Sequence, residues 1–262
     1  MTSSQLLASI TKSAGKAGGK DSGTGGYSVL VAKTEDEVVA AQRLRHQVFG
    51  VEMGAKLHSP VDGLDVDEFD QYCDHIVVRE DATGEIVGTY RMLPPERAAE
   101  AGKLYSDTEF DLSNLAELRG SLVETGRSCV HADHRTGAVV SLVWTGIARY
   151  MVLSGHRYLA GCASVPLADG GSYAASVWDM LQEKYYADES LRVHPHHPWR
   201  TEGVPRVEKL VLPPLVRGYL RLGARVCGPP AHDPDFNVAD FFVLLDIHSV
   251  DERYVKFFLG AQ

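Results

Sequence analysis

The chain has no run of about 18 apolar residues, so the sequence offers no helix that spans a membrane. Its start lacks the apolar core of a secretory leader, which leaves the cytoplasm as the expected compartment. Cysteine is scarce. Cys73, Cys129, Cys162 and Cys227 are widely spaced and form no C-x-x-C pair, which excludes a zinc ribbon and a disulfide framework. An excess of positive charge is also missing. The formal net charge of −9 removes nucleic acid as a default partner. His194, His196 and His197 lack helical or hairpin ligand spacing, so no metal is expected there and the segment reads as a surface loop. No histidine pattern of a triad accompanies Ser128 or Cys129, so an acyl-enzyme is not expected.

What is present describes an ordinary globular protein of 262 residues, 44% hydrophobic and 23% charged. Residues 1–26 are rich in Gly, Ser and Lys and are expected to be a disordered tail. Residues 27–262 are expected to form one mixed α/β domain with most strands in one sheet. Tyr27–Lys33 alternates as a strand, and Thr34 with Glu37 makes a capping box for a helix running to about Val48. Val51–Tyr72 is a long acidic loop, and Cys73–Glu80 with Glu85–Leu93 is a hairpin. A strand over Leu118–His131 precedes an apolar helix from about Val139 to Leu153. A strand at Arg157–Ser164, a helix from Ser172 to about Tyr186, a proline-led helix ending near Gly223 and closing strands at Ala224–Cys227 and Asp240–Asp246 follow. A last short helix is expected over Asp251–Leu259.

Two features carry more chemistry than a fold requires. Arg45 lies on the apolar stripe of the first helix, where a long stem can snorkel. Glu124 and Arg127 stand inside an otherwise apolar strand, three apart, where a regular strand points them to opposite faces. Gly126 between them permits a bulge that brings both to one side. A structural ion pair is the plain alternative.

The ordered motifs resemble a known family. They are Arg45-x-x-Val48-Phe49, Asp67-Glu68-Phe69-Asp70-x-x-Cys73-Asp74-His75, Val87-Gly88-Thr89-Tyr90-Arg91-Met92-Leu93 and Glu124-x-Gly126-Arg127-Ser128-Cys129-Val130. Pro214–Ala224, Asp233-Pro234-Asp235-Phe236-Asn237-x-x-Asp240 and the Leu159–Ser164 strand add to them. Together they resemble the ornithine N-acyltransferases that make lyso-ornithine lipid, members of the GNAT acyltransferases and similar to acyl-homoserine-lactone synthases. The resemblance covers most of residues 27–260. It implies a GNAT-like fold with loop and helical insertions. It also implies transfer of a long-chain (3-hydroxy)fatty acyl group from an acyl carrier protein thioester to the α-amine of L-ornithine. Arg135-Thr136-Gly137-Ala138 only approximates the GNAT pyrophosphate motif. That fits a carrier-protein donor bearing phosphopantetheine, with no permanently bound cofactor.

Aminolysis sets the roles. The amine must lose a proton to a carboxylate, for which Glu124 is the first choice and Asp70 the second. The thioester oxygen needs a fixed donor, such as a backbone N–H near Gly126–Ser128. Arg45, Arg91 and Arg127 are candidates to orient the amino-acid carboxylate. Phe49, Asp67 and Ser128 complete the expected substrate-binding set, and the Asp62–Asp74 loop offers carboxylates for the ornithine side-chain amine. Arg217 and Arg221, four apart, form a stripe suited to an acidic carrier protein. A peripheral membrane contact suits a lipid-like product. Two other readings stand beside this one. The first is an acyl-homoserine-lactone-type or other N-acyl amino acid synthase. The second is a non-enzymatic membrane-associated protein.

Overall fold

The computed structural model describes residues 5–10, 26–212 and 214–254. In chain order the elements are β1 (Gln5–Ile10), β2 (Tyr27–Val31), α1 (Glu35–Arg45), β3 (Asp74–Glu80), β4 (Ile86–Leu93), α2 (Pro95–Ala101), β5 (Phe110–Asp111) and β6 (Leu122–Val130). Then come α3 (Gly137–Ser154), β7 (Tyr158–Pro166), α4 (Ser172–Lys184), β8 (His194–Pro195), α5 (Pro214–Arg221), β9 (Arg225–Val226), β10 (Ala231–Asp233) and β11 (Val238–Asp246). The chain divides into two compact units. The first comprises Met1–Met92 and Arg127–Gly155, and the second Leu93–Gly126 and His156–Val255. Strand β6 gives its first half to the second unit and its second half to the first.

In the first unit β1, β2, β3 and β4 pair antiparallel in that order. β1 corrects part of the expected tail. Its Leu7 turns inward at 3% exposure while Leu6 is 60% exposed, the two-residue alternation of a strand with one buried face. The rest of the expected tail, residues 1–4 and 11–25, lies outside the described residues, as does most of the expected last helix.

Helix α1 starts as its sequence dictates. The Thr34 hydroxyl accepts the Glu37 N–H at 3.3 Å, and the Glu37 carboxylate accepts the Thr34 N–H at 3.3 Å. Acidic residues fill its first turn and Arg43 and Arg45 its last, as the helix dipole favours. Beyond Arg45 the helix widens into a π-helical stretch, His46–Glu52, that buries Val48 and Phe49. The β3–β4 hairpin turns through Gly84, whose φ of +78° is one a glycine adopts without strain. Helix α3 is long and apolar enough to cross a bilayer, but it packs on β1, β2 and β3. Its Gly146 lets it approach Val29 and Ile76 more closely than a side chain would allow.

In the second unit β6 runs parallel to β7, from Leu122 opposite Tyr158 to Glu124 opposite Ala160. β7 pairs antiparallel with β11 along its whole length, and β10 and β9 each pair with β11. Gly161 on β7 lies against the Thr125 carbonyl, where any Cβ would collide with backbone. Trp178 of α4 stacks on Phe241 of β11 at 6.1 Å between ring centroids. Helix α5 buries Val216, Tyr219 and Leu220 and leaves Arg217 and Arg221 exposed. Gly223, with φ +96°, follows its end. Arg225 starts β9, so it leaves the row that Arg217 and Arg221 form.

Candidate active site

The first unit gathers five of the expected site residues into one buried ionic network. Arg45 is fully buried, and its guanidinium donates to both oxygens of Asp70, at 2.9 and 2.6 Å. It also donates to the Asp65 carbonyl and lies 3.0 Å from the Asp65 carboxylate. Arg91, opposite His75 in the β3–β4 ladder, donates to Asp67 at 2.5 Å and to Asp70 at 3.0 Å. Arg127 reaches Asp65 at 3.2 Å and Asp67 at 3.4 Å. Gln42 donates to Asp70 at 3.2 Å, and Arg91 lies over the Phe69 ring at 5.8 Å.

Three arginines thus meet three aspartates. A charge with no partner here would cost several kcal/mol, on the order of the desolvation of one ion. Burial pushes the Asp70 carboxyl up, but hydrogen bonds and charge from Arg45, and the charge of Arg91, hold it well below the usual carboxylate range. Burial lowers His75, which overrides the pull of Asp70, so its imidazole is neutral at physiological pH. The snorkelling expected of Arg45 does not occur, because the acidic loop folds over its head group and supplies the carboxylates.

Sequence reasoning did not single out Asp65 or Gln42. Asp65 stood undistinguished among six acids in one loop. Gln42 lies on α1 one turn before Arg45, the one signal that pointed to it.

The irregularity expected at Gly126 falls one residue later. Arg127 itself takes φ +52°, in the left-handed region. A non-glycine residue there costs about 1–2 kcal/mol. The pairing with Asp65 and Asp67 offsets that cost and explains why the larger residue carries the turn. Ser128 follows on β6, half-buried, and Phe49 is buried in the π-helical stretch.

Glu124 lies in the second unit, 4% exposed. Its carboxylate accepts the Tyr105 N–H at 2.6 Å on one oxygen and the Ser106 N–H at 2.8 Å on the other. These groups begin a short 3₁₀ turn, Tyr105–Thr108, where backbone N–H groups lack helical partners. The turn is anchored in its own right. Asp107 accepts the Leu104 N–H at 2.8 Å and is gripped by Arg119. A carboxylate offers about four acceptor positions, so two backbone donors fix its orientation without using it up. The sequence marks no helix or strand over residues 103–118, so the partners of Glu124 are not legible there.

Comparison with known proteins gives the family. A model of the acetyltransferase (GNAT) domain matches residues 44–145. An L-ornithine N(alpha)-acyltransferase from Rhodobacter capsulatus is 34% identical over 246 residues, covering 88% of this chain and 94% of that protein. A CoA-dependent acyl-homoserine lactone synthase structure matches with a TM-score of 0.52 and 17% identity, covering 87% of this chain and 83% of the other. An N-acyl amino acid synthase from uncultured soil microbes matches with a TM-score of 0.53 and 15% identity, covering 86% and 93%. At those identities the two structures establish the fold, a GNAT-like mixed α/β sheet, while the sequence relative establishes descent. The chain belongs to the L-ornithine N(alpha)-acyltransferase family.

Proposed function

We propose that the protein transfers a long-chain fatty acyl group from an acyl carrier protein thioester to the α-amine of L-ornithine, the first step towards ornithine lipid. The observation that carries this reading is Glu124. It is a buried carboxylate held on both oxygens by backbone N–H groups, in a chain whose relatives are named for acyl transfer to ornithine. An ammonium has no lone pair to attack with, so the amine first gives a proton to Glu124, directly or through one water. The freed amine adds to the thioester carbonyl. The oxygen of the tetrahedral intermediate gains charge, and a backbone N–H of the Gly126–Ser128 segment stabilises it. Collapse expels the pantetheine thiolate, which takes up a proton, and an amide remains.

The ionic network supports this chemistry in two ways. Arg127, the most exposed of its arginines at 15% of the side chain, contacts the substrate carboxylate with Ser128 beside it. Arg45 and Arg91, at 0% and 5%, act through Asp67 and Asp70 by fixing the acidic loop, and Phe49 adds a buried apolar side chain to the substrate-binding set. Asp70 is the weaker candidate base, because two arginines keep it ionised. Arg217 and Arg221 present two exposed cations on one face of α5, suited to an acidic carrier helix. The setting is the cytoplasm, at the inner membrane face that receives the product.

The test is a reconstituted reaction. Purified protein with acyl carrier thioester releases free thiol when L-ornithine is added, and mass spectrometry finds the N-acyl product. Absence of amine-dependent release with every long-chain donor refutes the proposal. Lactone products from S-adenosylmethionine would assign the acyl-homoserine-lactone reaction instead.

A further inference from the structure

The turn that holds Glu124 ends on another carboxyl group. Glu109 directly follows Tyr105–Thr108. One carboxylate oxygen each of Glu109, Asp233 of β10 and Asp240 of β11 lie within 4.8 Å of one another. Asp240 is 2% exposed and accepts the Ser164 hydroxyl at 2.5 Å. Two carboxylates so near in a low-dielectric setting disfavour each other's ionised form.

A second link runs through side chains. The Cys162 thiol of β7 lies 3.9 Å from Glu109 and 3.5 Å from the Ser106 hydroxyl. Ser106, fully buried, is the residue whose N–H binds Glu124. The turn is therefore gripped at its start by Glu124 and ends in the carboxyl cluster at Glu109, with Ser106 and Cys162 bridging the two.

We propose that Glu109 is a positioning residue for acyl transfer: by sharing a proton with Asp240 it pins the 105–109 turn, and so holds the Tyr105 and Ser106 N–H groups on Glu124. The inference rests on the reading of Glu124 as proton acceptor. The groups that face Glu109 are Asp240, Asp233, Cys162 and Tyr105, and the His196 N–H donates to its carbonyl at 2.8 Å. Burial, then the charges of Asp240 and Asp233, push its carboxyl up to about 9, against a hydrogen bond from Tyr105. A glutamine there would bond at any pH without repulsion. The carboxyl instead makes the grip conditional on the proton. Above about pH 9 a second negative charge forces the pair apart, and Glu124 loses its orientation.

The experiment is the alkaline limb of the kcat profile in the reconstituted reaction. Glu109→Gln should move that limb to higher pH, because the hydrogen bond no longer ionises. Asp240→Asn should also move it to higher pH, because an ionised Glu109 then meets an amide donor and no second charge. Activity that persists to higher pH in both variants is not a signature of misfolding. Limbs that coincide with wild type in both variants overturn the proposal, and so does a limb that moves when EDTA is added, which would give the cluster to a metal ion. Infrared titration of the unaltered protein is independent of variant folding. A protonated-carboxyl band present at neutral pH should vanish by about pH 10, and its absence at neutral pH also overturns the proposal. Glu124→Gln separates the two levels. Unchanged turnover in that variant sinks the base assignment. Lost turnover with an unmoved Glu109→Gln limb sinks the positioning role alone.

Discussion

Replacing Asp70 by asparagine tests whether the arginine–aspartate network is a closed neutral set. Asp70 takes two hydrogen bonds from Arg45 and one from Arg91, and both guanidinium groups are almost wholly buried. Asparagine keeps the shape and one acceptor but removes the charge, so Arg45 is left with Asp65 alone. Breaking one side of a buried pair costs about 3–5 kcal/mol. We expect about 3–4 kcal/mol here, because Asp65 remains and the amide oxygen still accepts one bond. That is a large share of the roughly 5–15 kcal/mol that holds a domain folded.

The assay is urea unfolding of both proteins across pH. The folded-state proton affinity of Asp70 is depressed, so its stabilisation is fully present above the unfolded value near 3.8 and is lost as pH falls towards the folded one. The gap between wild type and variant should therefore be full at neutral pH and shrink below about pH 4. A gap under about 0.5 kcal/mol at neutral pH, or one that ignores pH, refutes the reasoning and means that the arginines find their counter-charge elsewhere. A stable variant with a raised KM for ornithine would move Asp70 from scaffold to substrate contact.

Glu124→Gln should lower turnover by roughly 10²–10⁴ with the fold retained, as read by thiol release and circular dichroism. Reversing Arg217 and Arg221 to glutamate should raise KM for the acyl carrier protein and flatten its dependence on salt, while leaving KM for ornithine alone. An unchanged carrier KM removes α5 from the docking face. Gly161→Ala sets a methyl group against the Thr125 carbonyl, which cannot give way as a side-chain tip could. Overpacking of this kind costs about 1–3 kcal/mol, and a thermal midpoint within error of wild type would contradict the β6–β7 approach described above.

Local signals read well from sequence because local physics makes them. The Thr34–Glu37 capping box, the hairpin around Gly84 and the apolar helix α3 are each specified within a few residues. β1 was missed because six modestly apolar residues next to a Gly-rich stretch look like tail until a partner strand satisfies their backbone. The charged motif residues were named from the sequence, but their bonding was not. Arg45 finds Asp70 across 25 positions and Arg91 finds Asp67 across 24, and spacing alone does not tell a substrate-orienting arginine from one already paired. Asp233 and Asp240 stand in a motif of the family, whereas no sequence signal marks Glu109. Their meeting needs the fold.

Strand β6 has a consequence for how the molecule can be made and cut. The first unit is still incomplete when the polypeptide reaches Gly126, since Arg127–Gly155 supplies its helix α3 and the arginine that answers Asp65 and Asp67. Before that point, the acids of the early loop emerge ahead of one of their counter-charges. A truncation at the boundary between Gly126 and Arg127 leaves no intact half, because it severs a nine-residue strand.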